Sequence, residues 1–310
     1  MNMEIHYGYD NLHFANPVVT MGIFDGVHLG HRVIIDRLKE MAKLIGGESV
    51  VVTFEPHPRL VLSKERAGIS FLSTPAEKIM LLENAGVDHL VIINFTKALS
   101  NLEPYDFIRD ILVEKTGVKH LIVGYDHHFG KSRKGDFAKI AECAAIFGFT
   151  VEQVAQVTTQ DGTVSSTSVR EALLGGRLET ANRLLGYNYM LSGTVTTGRG
   201  IGRSLGFPTA NIIPGDNFKL IPADGVYAVR TIIGGRQLKG ALSIGSNPTV
   251  SSAGKRSVEV NIFDFDSDIY GQEITVVFMY RLRDEIRFDS PESLVRQIEL
   301  DKQQAIRLLA

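Results

Sequence analysis

The sequence predicts an open, parallel α/β sheet over residues 1–186, followed over residues 187–310 by a small antiparallel β-barrel with a terminal helix. Three observations lead there. The chain has 310 residues, about twice the ~150 of an ordinary domain. In its first part, short apolar runs alternate with amphipathic stretches. Beyond about residue 187, glycine and β-branched residues rise, and strands follow one another without helices between them.

Taken in order, Asn16–Met21 reads as a strand and Arg32–Ile45 as a helix with Val33, Ile34, Leu38 and Met41 on its apolar face. Val50–Phe54 is a strand, Pro75–Ala85 a helix, and His89–Phe95 a strand. Pro104–Lys115 is helical, Leu121–Val123 a strand, and Asp136–Phe147 helical. Strands that are continuous apolar runs suit a parallel sheet buried on both faces. The join falls in Ser168–Gly186, a helical stretch broken at Gly175-Gly176. Then come strands at Met190–Thr196, Gly225–Ile233, Lys239–Ile244, Ser257–Phe263 and Glu273–Arg281, with Gly234-Gly235 as a hairpin turn. Pro291–Leu309 closes the chain as a helix, with Leu294, Ile298, Ala305 and Leu309 on one side.

Composition narrows the function. Lys and Arg number 33 against 35 Asp and Glu, a net charge of −2. That balance gives no electrostatic pull towards nucleic acid or an anionic membrane. The single cysteine, Cys143, excludes an internal disulfide or a cysteine zinc cluster. No apolar run approaches the ~20 residues of a membrane span, and Met1–Asp10 lacks the features of a signal peptide. A cytoplasmic, soluble protein of two domains is expected from composition; monomer or weak homo-oligomer is the expected state, with small molecules as partners.

The strongest local signal is Gly22-Ile-Phe-Asp-Gly-Val-His-Leu-Gly-His31, between the first strand and the first helix. A helix N-terminus presents unpaired N–H groups and a positive dipole end to an anion. Gly26 and Gly30 allow backbone close to a phosphate, and His28 and His31 add donors. A metal pair or two solvated histidines are the alternatives. Thr53-Phe-Glu-Pro-His-Pro58 ends the second strand, where Phe54, Pro56 and Pro58 can wall a flat ring. Ser165-Ser-Thr-Ser-Val-Arg170 places the Ser166 and Thr167 hydroxyls and the Arg170 guanidinium at a helix start, a pattern for polyphosphate or for a plain N-cap. All lie where ligands bind in open α/β sheets, beyond the carboxyl ends of the strands. Gly124–Ser132 imitates a P-loop, but five residues precede Gly130-Lys-Ser where a P-loop has four.

In the second part, Gly193–Asn211 carries Gly198, Gly200 and Gly202, suited to a flap over phosphates, with Arg199 and Arg203 adding charge. Thr209 and Asn211 share one side of an extended segment and offer the hard oxygen ligands of Mg²⁺. Glu259 and Asn261 share a strand face. A carboxylate there is either solvated or the acceptor of an alcohol proton in phosphoryl transfer.

His28-Leu-Gly-His31 is similar to the signature of nucleotidylyltransferases. With Thr53–Pro58, Ser165–Arg170 and the Gly124, Asp126, Phe129, Gly130 pattern, it resembles the adenylyltransferase half of bacterial bifunctional riboflavin kinase/FAD synthetases. His127 and His128 stand where that pattern has an aromatic residue first. The run Phe207-Pro-Thr-Ala-Asn211, with Gly225–Val229, Ser243–Val250, Glu259–Gly271 and Arg283–Asp301, resembles the kinase half.

The resemblance implies a Rossmann-like nucleotidylyltransferase domain that adenylylates FMN to FAD and a barrel that phosphorylates riboflavin to FMN, with ATP and Mg²⁺. It further implies Gly22, Phe24 and Asp25 at the ATP phosphates, Phe129 at the flavin, and Asp126 at Mg²⁺ or the FMN end. His28, His31 and Arg170 would stabilise transferring phosphate, with Glu259 the base for the riboflavin hydroxyl. The competing readings are a flavin-binding sensor, a homologue with one silent half, and an adenylyltransferase for another phosphate acceptor.

Overall fold

The computed structural model describes residues 3–127, 129–131, 135–198, 202, 205–246 and 256–310. They form two compact units, one of residues 1–69 and 75–165, the other of 70–74 and 166–310.

The first unit holds β1 (Glu4–Tyr7), β2 (Val18–Met21), α1 (Leu29–Ile45), β3 (Ser49–Glu55), α2 (Pro58–Leu62), α3 (Pro75–Asn84) and β4 (His89–Asn94). It continues through α4 (Lys97–Ser100), α5 (Pro104–Phe107), β5 (His120–Gly124), α6 (Phe137–Phe147), β6 (Thr150–Val154) and the short pair β7 (Thr158–Thr159) and β8 (Gly162–Thr163). Strands β1 to β6 make one sheet in the order β1-β4-β3-β2-β5-β6, and every pairing is parallel. The open parallel α/β sheet is as expected.

Its apolar strands are buried on both faces. Val19, Met21, Val50, Val52, Val91, Ile93, Leu121 and Val123 pack with Phe107, Ile111, Leu112, Ile140 and Cys143 on one side. The alternate residues Val18, Val51, Leu90 and Ile122 are fully buried as well, and α1 packs on β2, β3 and β5. Pro104–Lys115 is helical only in part as expected: after Phe107 the turns widen to π geometry over Ile108–Val113.

The second unit comprises α7 (Ser166–Leu174), α8 (Leu178–Leu185), β9 (Met190–Thr196), β10 (Ala210–Pro214), β11 (Gly225–Ile233), β12 (Arg236–Ser246), β13 (Arg256–Ile262), β14 (Glu273–Arg283) and α9 (Pro291–Leu308). The six strands close an antiparallel barrel in the order β10-β13-β12-β11-β14-β9. Gly234 and Gly235, both at positive φ (53° and 78°), form the two-residue turn between β11 and β12. By contacts α7 and α8 group with the barrel: α8 packs on β14 and the Leu173 carbonyl accepts from Ala223 N. Residues 70–74 join them through Phe71, hydrogen-bonded to Phe218 and Leu220.

Helix α9 starts on a Ser290/Ser293 capping box and covers the barrel with Ala305 and Leu309, which pack on Ala228 and Phe263. Its buried Asp301 takes Nε and Nη2 of Arg283 at 3.0 and 2.7 Å and Gln297 at 2.9 Å. Asp301→Ala removes the acceptor from both. It should cost about 1.5–3 kcal/mol, read as a lower urea midpoint of the full-length protein.

Candidate active sites

In the first unit the strand order reverses at β2: β3 and β4 extend the sheet on one side, β5 and β6 on the other. The loops leaving β2 and β5 therefore diverge and open a crevice at the strands' carboxyl ends. Both expected motifs arrive there, Gly22–His31 from β2 and Gly124–Gly130 from β5.

The Gly22–His28 loop is tightly held. Gly22 N donates to Val52 O at 3.0 Å and Thr53 Oγ1 to Ile23 O at 3.3 Å. Phe24, Gly26 and Val27 all have positive φ, at 53°, 79° and 37°. For a β-branched residue such as Val27 that is a strained conformation, of the kind that clusters at functional sites. Asp25 is buried within this loop.

Helix α1 begins three residues earlier than the sequence suggested, at Leu29 rather than Arg32, because His28 itself is the N-cap. Its Nδ1 accepts from His31 N at 3.4 Å, which leaves the ring proton on Nε2. The His28 and His31 rings stack at 3.7 Å, 15° apart, with Phe24 5.1 Å from His31. A Cβ on Gly30 would lie 3.2 Å from the His28 ring, so Gly30 makes room for the imidazole. The first turn of α1 reads Leu-Gly-His-Arg, with no acid to offset the dipole. Among the described residues, buried His31 Nδ1 finds no partner. Burial first, and His28 second, push the His31 pKa well below its ordinary value.

Beside this loop, Phe54 lies 5.7 Å from Phe95 and 6.4 Å from the buried Phe107. Phe129 reaches Phe107 from the other strand at 5.6 Å and stacks on His127. Phe107 thus joins the two expected ring-binding segments. Pro56 and Pro58 follow half-buried, Pro58 opening α2. Asp126 is exposed in the turn after β5, with Oδ1 3.7 Å from where a Gly124 Cβ would stand. Ser166, Thr167 and Arg170 occupy the first turns of α7, an element that packs within the second unit.

In the barrel, pairing sets Asn211 on β10 opposite Glu259 on β13. Thr209, just before β10, donates its hydroxyl to Glu259 Oε2 at 3.2 Å, and Asn261 Nδ2 reaches Pro208 O at 2.7 Å. Glu259 is half-buried rather than a solvated side chain. A Cβ at Gly198 would stand 2.0 Å from Asn211 Nδ2, so a side chain there would displace the Asn211 amide. Gly202 likewise leaves 2.4 Å to Phe207 O and 3.3 Å to Thr209 Oγ1. A pocket of about 340 Å³ opens beside these groups, lined by Gly198, Pro208, Thr209, Asp266, Asp268 and Tyr270 among others. That is within the size range of small-molecule sites. Arg199, Gly200 and Arg203, and with them part of the expected flap, lie outside the described residues, as does His128.

The family models for FAD synthetase and for riboflavin kinase match residues 11–168 and 185–309 respectively. Proteins named bifunctional riboflavin kinase/FMN adenylyltransferase align along nearly the whole chain. The one from Pseudomonas fluorescens is 41% identical over 99% of this chain and 98% of its own. That from Listeria monocytogenes is 39% identical over 93% and 91%, and that from Escherichia coli 36% over 97% and 96%. The chain belongs to the bifunctional riboflavin kinase/FMN adenylyltransferase family.

A solved structure titled a macrolide-efflux protein from Streptococcus pneumoniae has the same fold, with a TM-score of 0.88 at 31% identity over 98% of both chains. No described helix of the present family member is long and apolar enough to cross a membrane. The FAD synthetase match ends at residue 168, so it includes Ser166 and Thr167 but stops short of Arg170.

Two groups in this family member escaped the sequence reading. Lys78, buried on α3, reaches Thr53 Oγ1 at 3.4 Å and Glu55 Oε2 at 3.7 Å. Burial lowers its pKa, while Glu55 and then Asp25 oppose that. The signal was present: Glu77 and Lys78 precede buried Leu81 and Leu82 by one helical turn, on the inward face. The pocket wall Phe265–Tyr270 was also missed; its mark is the Asp268 turn, in which Asp268 Oδ1 accepts from Tyr270 N at 3.0 Å.

The depressed His31 pKa has a readable consequence. The unfolded imidazole takes a proton below about pH 6.5, while the folded one resists it. Stability should therefore be full above that pH and fall as pH drops from there towards the folded-state pKa. Imidazole ¹⁵N NMR of the free protein should find His31 still neutral at pH 6.

Proposed function

We propose that the chain makes flavin cofactors in two ATP-dependent steps, the second unit converting riboflavin to FMN and the first unit FMN to FAD. The observation that carries this reading is that each family module brings its own built site, with different chemical equipment. The barrel has a carboxylate hydrogen-bonded beside a pocket. The crevice of the sheet has a histidine-capped helix end.

For the kinase step, Glu259 takes the proton of the ribityl 5′-hydroxyl as that oxygen attacks the γ-phosphorus of ATP, and ADP leaves. The Thr209 hydroxyl, donating to Glu259 Oε2, fixes the orientation of that carboxylate. The hydroxyl and amide oxygens of Thr209 and Asn211 are donors of the hard kind that suits Mg²⁺. Thr209 and Asn211 are the residues to hold it. A Mg²⁺ held there with ATP would neutralise phosphate charge. Gly198 and Gly202 border the phosphates in this reading.

For the adenylyl step, a phosphate oxygen of FMN attacks the α-phosphorus of ATP and pyrophosphate leaves. The nucleophile is already ionised, so no base is needed. His28, through Nε2–H, and His31 stabilise the charge that develops on the phosphates at the α1 N-terminus, where Gly22, Phe24, Asp25, Gly26 and Gly30 shape the loop. Phe54, Pro56, Pro58 and Phe129 receive the isoalloxazine, and Asp126 serves the FMN end or its Mg²⁺. All these residues come from one chain, so a monomer suffices. The cytoplasm suits a protein that draws on ATP and keeps one buried thiol, Cys143.

Incubation of the full-length protein with riboflavin, ATP and Mg²⁺, with flavins separated over time, should show FMN first and FAD following. Glu259→Gln should slow FMN formation about 10²–10⁴-fold, while FMN supplied directly still becomes FAD. The His28→Ala/His31→Ala double variant should lose about 10²-fold or more of FAD formation and let FMN accumulate. Flavin bound but neither product formed would overturn the proposal.

A further inference from the structure

At the opposite end of the parallel sheet, where strands β1, β3 and β4 begin, lies a cluster that neither reaction uses. Glu4 and His6 project from the same side of β1, and β1 pairs with β4 so that Glu4 stands opposite His89. His6 Nε2 and His89 Nδ1 are 3.2 Å apart. The two oxygens of Glu4 face these nitrogens, Oε1 at 3.9 Å from His6 Nε2 and Oε2 at 3.7 Å from His89 Nδ1.

We infer that Glu4, His6 and His89 form a binding site for a divalent transition ion of the Zn²⁺ type, which ties the edge strand β1 to β4. With Zn–N bonds of about 2.0–2.1 Å, two ligands on a tetrahedral ion stand about 3.3 Å apart. The observed nitrogen separation matches that edge, and a ligand oxygen of Glu4 lies within 4.8 Å of both nitrogens. Two imidazoles and one carboxylate are the borderline donor set preferred by Zn²⁺ over Mg²⁺ or Ca²⁺. A water completes the fourth position.

The surroundings repeat what metal-ligating histidines need. His89 turns Nδ1 to the cluster and Nε2 to Glu48 Oε2, 3.5 Å away. A carboxylate on the far nitrogen fixes tautomer and orientation in this way. Glu48 is itself fixed, accepting from Ala15 N at 2.8 Å. The Phe14 ring covers one side, 5.4 Å from His6 and 4.8 Å from His89. Without an ion, one ring donates to the other.

The test uses the full-length protein, stripped of metal by a chelator, dialysed, and titrated with Zn²⁺ in the absence of nucleotide. Co²⁺ serves as the spectroscopic probe. One Zn²⁺ per chain should be retained, and the Co²⁺ form should show the intense visible bands of four-coordinate geometry. The His6→Gln/His89→Gln variant should lose both. Glu48→Gln should weaken Zn²⁺ binding about 10–100-fold, and the exposed Glu4→Gln, which does not threaten folding, by a comparable factor or more. No Zn²⁺ retained by the wild type overturns the inference. So does equal Zn²⁺ affinity in the wild type and Glu4→Gln, or a Co²⁺ spectrum unchanged by the double substitution.

Discussion

A parallel sheet can place two diverging loops side by side only where its strand order reverses. Here the reversal at β2 governs everything that follows in the first unit. It puts the Gly22–His28 loop and the turn after β5 at one crevice, and it forces the chain leaving β2 to bend sharply into α1. Two non-glycine residues at positive φ, Phe24 and Val27, absorb that bend, each at a cost of about 1–3 kcal/mol. Burial offsets it: Phe24 and Val27 are almost wholly enclosed, and the neighbouring strand anchors the loop through Val52 and Thr53. The result is a helix end whose cap is an imidazole instead of a hydroxyl or a carboxylate. A carboxylate cap would satisfy the N–H groups equally well but would repel an incoming phosphate.

The barrel solves its positioning problem by register. Once β10 and β13 pair so that Asn211 faces Glu259, the side chains of one face are fixed, because a slip of one residue would turn them all away. Space then becomes the constraint. Asn211 can occupy its place only because position 198 has no Cβ. The Thr209–Glu259 hydrogen bond couples the proposed cation ligand to the proposed base. The orientation of one therefore depends on the other, and both rest on a barrel clamped by the Arg283–Asp301 pair.

Most of this was legible in the residues. Alternation of apolar runs announced the parallel sheet, and unbroken strands announced the barrel. The helix start was misplaced by three residues because histidine is not among the residues that usually cap helices. Strands β1 and β6 were passed over since both lie at sheet edges and carry polar, exposed residues such as Glu4 and Thr150. The grouping of α7 and α8 depends on long-range packing, α8 on β14, which no local pattern encodes. Lys78 was readable in principle, since the period of α3 turns it inward. Its partners Thr53 and Glu55 sit on another element, and only the fold brings them together. The strained backbone of Phe24 and Val27 left no trace in composition at all.

The two units differ as the two transfers differ. Attack by a neutral alcohol on a terminal phosphorus must discard a proton, so the site needs an acceptor held at the nucleophile; Glu259, half-buried and hydrogen-bonded, has that character. Attack by a phosphate on an internal phosphorus starts from an anion and adds charge to charge, so the site needs donors and a dipole and no proton acceptor at the nucleophile. His28 and His31 at an acid-free helix end have the matching character. His31 is held neutral by burial in the free protein, and a polyphosphate beside it would pull its pKa back up. The same histidine can therefore fold without a buried charge and carry one when the anion arrives.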